Sequence, residues 1–305
     1  MSGSSASLKL GGLALVIAVV FGAAYGIGQL VGPVTSEPAS AAGEHDGMAE
    51  EETHGDAGHD AAGVPKGLQI SQDGTTLEVL STGLAAGQPA DFAFRILDAD
   101  GHAVTRFAET HDKLMHLIVA RRDLSGFQHV HPTMAADGTW RVPLAFGGAG
   151  DYRVFADFQL AGAADGLTLG ADVPVTGAYT PVALPAPALT SAVDDYRVTL
   201  SGELTPGATS KLTLTVDRNS VPVTDLEPYL AAYGHLVVLR QGDLAYLHVH
   251  PDGEPGDGRT KAGPNIVFYA EVPSAGTYRL YLDFKHGDVV RTAEFTVVAG
   301  EHEHE

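Results

Sequence analysis

The sequence predicts an all-β protein, built as two tandem immunoglobulin-like or cupredoxin-like β-sandwiches. Three observations carry that prediction. Val, Thr, Tyr and Phe gather in short runs broken by Gly, Pro and Asp, with no convincing amphipathic helix among them. Two stretches are copies of one plan: MHLIVARRDLSGFQHVHP then GDYRVFADF, and GHLVVLRQGDLAYLHVHP then GTYRLYLDF. Each copy holds about seven short strands in roughly 110 residues, the size of one such sandwich.

An alternating strand precedes each copy. Phe92, Phe94 and Ile96 share one face of PADFAFRIL, and Leu212, Leu214 and Val216 share one face of KLTLTVD. An apolar share of 44% lets each half bury its own core. The Pro-rich stretch GAYTPVALPAP reads as a linker between them.

Ahead of the copies, Leu10 to Val31 is a long run without a charge. At about 1.5 Å per residue it can cross a hydrocarbon core of ~30 Å. Lys9 before it favours a cytoplasmic N-terminus. A cleaved signal is the alternative, with Ala39-Ser40-Ala41 as its small-residue site. Both readings put the remainder outside the cytoplasm, either on a single-pass anchor in the cell membrane or secreted. The boundaries are then 1–9 cytoplasmic, 10–31 transmembrane signal anchor and 32–65 a disordered acidic stalk bearing His45, His54 and His59. The first sandwich is expected over 66–176, the linker over 177–187, the second sandwich over 188–299 and an acidic His tail over 300–305.

Composition excludes several functions. The chain has no cysteine, which removes disulfides, thiolate zinc sites, iron–sulfur clusters and the Cys ligand of blue copper. A formal charge of −20 argues against a nucleic-acid partner and favours attraction of cations.

The residues that carry chemistry are histidines. His116, His129 and His131 in the first copy match His235, His248 and His250 in the second, at the same spacing. A hairpin turning at Gly242-Asp243 sets His235 opposite His250, with His248 on the same face; the same pairing sets His116 against His131. Three neutral imidazoles on one patch suit Cu(II) or Zn(II) and suit Mg or Ca poorly. Asp157 and Asp283 recur in YRVFADF and YRLYLDF and are candidate further ligands, with water or a surface role as the alternatives. His102, His111 and His286 have no counterpart in the other copy and read as incidental.

At HLIV…HVHP and HLVV…HVHP the chain resembles bacterial secreted proteins with YtkA-like or "heavy-metal-binding" sandwich domains. The resemblance implies an extracytoplasmic, copper-associated role. HVH is also a feature of copper–zinc superoxide dismutase, but the further zinc-binding histidines and the cysteine pair of that enzyme are missing here. The expectation is therefore a copper-binding protein (zinc the alternative) with one three-His site per domain, for capture, buffering or transfer. Its expected partners are the metal ion, the membrane through the N-terminal helix, and a metal transporter or other extracytoplasmic protein. A His-metal enzyme, and an adhesion or interaction module with structural histidines, remain as the other readings. No recurring Glu stands as a general base, which weighs against the enzyme.

Overall fold

The structure is a computed structural model and describes residues 64–300. The anchor expected over 10–31, the stalk up to residue 63 and the tail beyond residue 300 lie outside the described residues. Among the described residues the regular secondary structure is entirely β, and no helix is long and apolar enough to cross a membrane.

Each copy of the repeat folds as two packed sheets. In the first domain Thr75–Val79, Pro89–Leu97 and Trp140–Ala145 are successive neighbours in one sheet. The other sheet runs Gly166–Val175, Gly150–Leu160, His116–Arg121, Gln128–Val130. In the second domain Thr190–Val193, Tyr196–Ser201, Ala208–Arg218, Asn265–Val272 and Val249–Pro251 form one path, and His235–Arg240, Gly276–His286 and Val289–Ala299 the other sheet. The two faces read from alternation are the cores: Phe92, Phe94 and Ile96 are fully buried in one, Leu212, Leu214 and Val216 in the other.

One strand pair in each domain is apolar on both faces, and this decides how the molecule is assembled. In Gly150–Leu160, Tyr152, Val154, Ala156 and Phe158 enter the first core, while Phe155 points the other way. In Gly276–His286, Tyr278, Leu280, Leu282 and Phe284 enter the second core and Tyr281 points away. A strand with two apolar faces needs cover on both. Here each domain covers the other: Ile118, Leu124 and Phe155 of the first pack with Val237, Leu244 and Tyr281 of the second in one buried cluster. The contact is reciprocal. Phe127 stacks on Tyr281 at 3.9 Å between centroids, and Tyr246, at the matching place in the second copy, packs on Phe155 at 5.7 Å. The Tyr281 hydroxyl donates to the Leu124 carbonyl at 2.6 Å. The linker joins the seam as well, since Leu184 packs against this cluster and Val182 N–H donates to Asp123.

The seam should therefore bear on stability. Truncating a fully buried aromatic costs about 3–5 kcal/mol, so Tyr281→Ala is expected to lower unfolding stability by that much in urea. A loss under about 1 kcal/mol, the scale of one hydrogen bond, would show that the seam is not formed in solution.

Candidate metal centre

The histidines stand at one end of this seam. Register places them there. His116 pairs with Asp157, and His235 with Asp283, across the two inner strand pairs. Directly opposed residues share a face, so each histidine and its aspartate point into the seam. In the first domain Leu117 pairs with Val130 and Ile118 with His129. Continuing that register sets His116 against His131, as the sequence predicts. In the second domain the hairpin starts in the expected register, with Leu239 bridged to Tyr246 and Leu247 N–H bonded to the Val238 carbonyl. The turn is wider than the two-residue form expected, because Arg240 N–H closes on the Ala245 carbonyl, with Leu244 at φ 64°.

Beyond Leu247 the two copies diverge. The Glu271 N–H takes the His248 carbonyl, and Val249 and His250 pair with Ala270 and Tyr269 in the opposite sheet. The expected convergence of His235 with His248 and His250 is therefore replaced by another arrangement. His235 joins the first domain's histidines, its ring stacked on His116 (5.6 Å, 7°) and 4.6 Å from His129. His248 and His250 instead pack edge to face on each other at 3.9 Å, and His250 is exposed.

His116, His129 and His131 each bring a ring nitrogen within 4.8 Å of the others. His111 lies beside them, 6.1 Å from His116 and 5.9 Å from His235 between centroids. His111 has no histidine counterpart in the other copy, where Leu230 stands at the matching position. The turn carrying it, closed by Thr110 and Lys113, matches the Tyr229–Ala232 turn, and Asp112 ties the two by accepting from Ala231 N–H at 2.9 Å. No signal in the sequence marks that meeting, which depends on how the domains dock.

Hydrogen bonds fix the tautomers at the centre. His116 Nε2 is 3.1 Å from the Thr110 carbonyl, which only accepts, so Nε2 carries the proton and Nδ1 is bare. His129 Nδ1 is 2.8 Å from an Asp283 carboxylate oxygen, so His129 donates there, and its Nε2 is bare in the neutral ring. His116 Nδ1 and His129 Nε2 face each other at 3.2 Å, within hydrogen-bond distance. His131 Nε2 and His235 Nδ1 are buried without a hydrogen-bond partner.

Burial disfavours the charged form of three of the rings. Burial, reinforced by neighbouring His129, pulls His116 down to about 3. Burial and His129 pull His131 down to about 4. His235 falls well below the usual 6.5, first from burial and then from its imidazole neighbours.

The aspartates lie beside the histidines and are held by hydroxyl groups. Asp283 holds His129 from behind and is itself held by the Thr292 hydroxyl at 2.6 Å. Asp157 accepts from the Thr168 hydroxyl at 2.7 Å, and burial raises its carboxyl above the ordinary 3.8. His286 accepts from the Tyr196 hydroxyl and faces Asp225, a local structural role. Asp98, Asp100 and His102 also gather, on an exposed loop, where Asp98 caps the turn by accepting from the backbone N–H of Asp100 and His102.

The family model that matches is Domain of unknown function (DUF8832), over 70–175 and again over 191–301. The chain belongs to that family. Its two DUF8832 repeats coincide with the two sandwiches. None of the curated proteins matches the chain. Solved structures similar to it include FdeC, an Escherichia coli adhesin, at 17% identity and TM-score 0.23, covering 75% of this chain and 65% of that one. Another is Escherichia coli alpha-2-macroglobulin activated by porcine elastase, at 14% and 0.25, covering 74% and 20%. A third is invasin, a bacterial integrin-binding protein, at 14% and 0.21, covering 73% and 39%. The chain spans less than two thirds of each of these three, and scores this low carry no argument about a shared site.

Proposed function

We propose that the protein binds one transition-metal ion, copper or zinc, at a centre shared by its two DUF8832 repeats, for capture, buffering or transfer outside the cytoplasm. The observation that carries this reading is the convergence of His116, His129 and His131, each with a ring nitrogen within 4.8 Å of the others, His116 Nδ1 facing His129 Nε2 at 3.2 Å. A proton on His129 Nε2 bridges the two nitrogens when both His129 nitrogens are protonated; with His129 neutral, a metal ion takes that place. A tetrahedral ion with bonds of about 2.0–2.1 Å holds its nitrogens about 3.3 Å apart. His131 supplies a third nitrogen, and His235, from the other domain, stands against His116 and His129. The donor set is nitrogen throughout, which suits Cu(II) and Zn(II). A carboxylate behind a ligating imidazole, as Asp283 stands behind His129, orients the ring and raises its basicity.

The heavy-metal-binding character of YtkA-like domains, the anchor over Leu10–Val31 and delivery to an extracytoplasmic partner belong to the same proposal. Their support is the sequence: the uncharged run, the acidic His-bearing stalk and a charge of −20.

Metal content decides it. The full chain, with His45, His54, His59, His302 and His304 replaced by Asn, is dialysed against Cu(II) or Zn(II) and analysed. One ion per chain with imidazole scattering in X-ray absorption is expected. A chain that retains no more metal than its His116→Ala/His129→Ala/His131→Ala variant overturns the reading and leaves the histidines structural, in an interaction module.

A further inference from the structure

The strap formed by residues 66–69 crosses the seam between the domains. Gly67 N–H donates to the Thr168 carbonyl at 2.9 Å, Gly170 N–H to the Gln69 carbonyl at 2.7 Å, and Tyr246 N–H, from the second domain, to the Lys66 carbonyl at 3.0 Å. Gly67 has φ 72°, and a Cβ there would lie 2.5 Å from the Phe155 ring, so only glycine lets the strap lie this close. The backbone that carries Lys66 is thus fixed. Its ammonium lies 2.9 Å from His248 Nδ1.

An ammonium group donates three hydrogen bonds and accepts none. His248 Nδ1 is therefore the acceptor, and the ring proton sits on Nε2. His129, the counterpart in the first copy, has the reverse arrangement: its Nδ1 donates to Asp283, and its Nε2 is turned to His116. Lys66 occupies, at His248, the position that a carboxylate occupies at His129. Its charge also acts on Asp157, the counterpart of Asp283, and on His250.

We propose that Lys66 is a tethered cation that blocks a second copper or zinc site at His248 and His250, by holding the proton on the His248 nitrogen that a metal needs. This rests on the metal reading of the first centre, which supplies the tautomer rule. Removing the ammonium lets His248 Nδ1 donate to a carboxylate, with Asp157, on which the Lys66 charge also acts, the candidate. Nε2 then joins His250, whose ring is 3.9 Å away. Lys66 in this way sets the capacity of the chain at one ion, although six histidines recur in its two motifs.

The test counts ions on the full chain whose stalk and tail histidines are Asn, with Cu(II) alone as the probe. The parent should bind one ion, Lys66→Met two, and Lys66→Met/His248→Ala one again. Lys66→Gln should match Lys66→Met and covers the case in which Met perturbs the strap; Lys66→Arg, still a pure donor, should stay at one. Folding is checked by the melting profile. Both neutral variants folded and still at one ion would overturn the inference, as would a parent that already binds two and loses one with His248→Ala. Absence of metal from the parent sinks the first centre alone. A His248-dependent gain in Lys66→Met would then still support the role of Lys66, and no gain would overturn it.

Discussion

Replacing His129 by Ala is expected to remove the bound ion altogether, while Asp283→Asn should weaken binding only about 10–100-fold, the usual effect of losing a partner behind a ligating histidine. The asymmetry follows from position. His129 supplies the Nε2 that faces His116 at 3.2 Å, and no other group in the centre can replace it there. Asp283 touches the same ring from the far side, at Nδ1. An Asn in its place still accepts through its amide oxygen, so the tautomer survives while the negative charge is lost. His235→Ala separates a three-nitrogen from a four-nitrogen centre: a weakened but retained ion places His235 in the coordination shell or against it. Isothermal titration of the three variants, on the chain with stalk and tail histidines removed, reads all of this. Equal binding by His129→Ala and the parent would end the assignment of this centre.

The contribution of the second domain makes that centre harder to read from sequence than the fold. Alternation at Phe92, Phe94 and Ile96 points to a core wherever those residues lie, because a period of two leaves one buried face. The first-copy trio is equally local, since His116 meets His131 through one hairpin register. The second-copy trio is also predicted by register, and that register does begin, at Leu239 and Tyr246. It fails because the strand moves to the other sheet at Val249, a choice made by the pairing with Ala270 rather than by the turn. One signal did point to a shared seam. HLIVAR and HLVVLR are apolar on both faces, and only one face of each can enter its own core. The repeat itself offers an equal face to cover the other. His111 carries no such signal, as its neighbours come from the docking of two turns.

Acid should destabilise the metal-free protein in a window set by these histidines. The unfolded chain takes up a proton at each imidazole near pH 6.5. Folded, His116 takes one only at about 3 and His131 at about 4, because burial disfavours the charged ring. Between those limits the unfolded state binds more protons, so stability rises with pH there. The contribution is complete above about pH 6.5 and is lost progressively as pH falls toward the folded values. At pH 5, some 1.5 units below the unfolded value, the loss at His116 alone is about 2 kcal/mol. His235 adds to it in the same direction. Asp157 works the other way, since its raised carboxyl favours folding when protonated, so its term partly offsets the loss just above the ordinary 3.8. Bound metal holds the imidazoles deprotonated and should move the whole acid transition to lower pH. Urea midpoints at pH 7, 6, 5 and 4.5, for the metal-free parent and for the variant with Ala at 116, 129, 131 and 235, give the comparison. The parent should lose the larger share of its stability between pH 6.5 and 4.5. Parallel curves would show that the seam does not hold these rings buried and neutral, and the packing that brings His235 onto His116 would have to be abandoned.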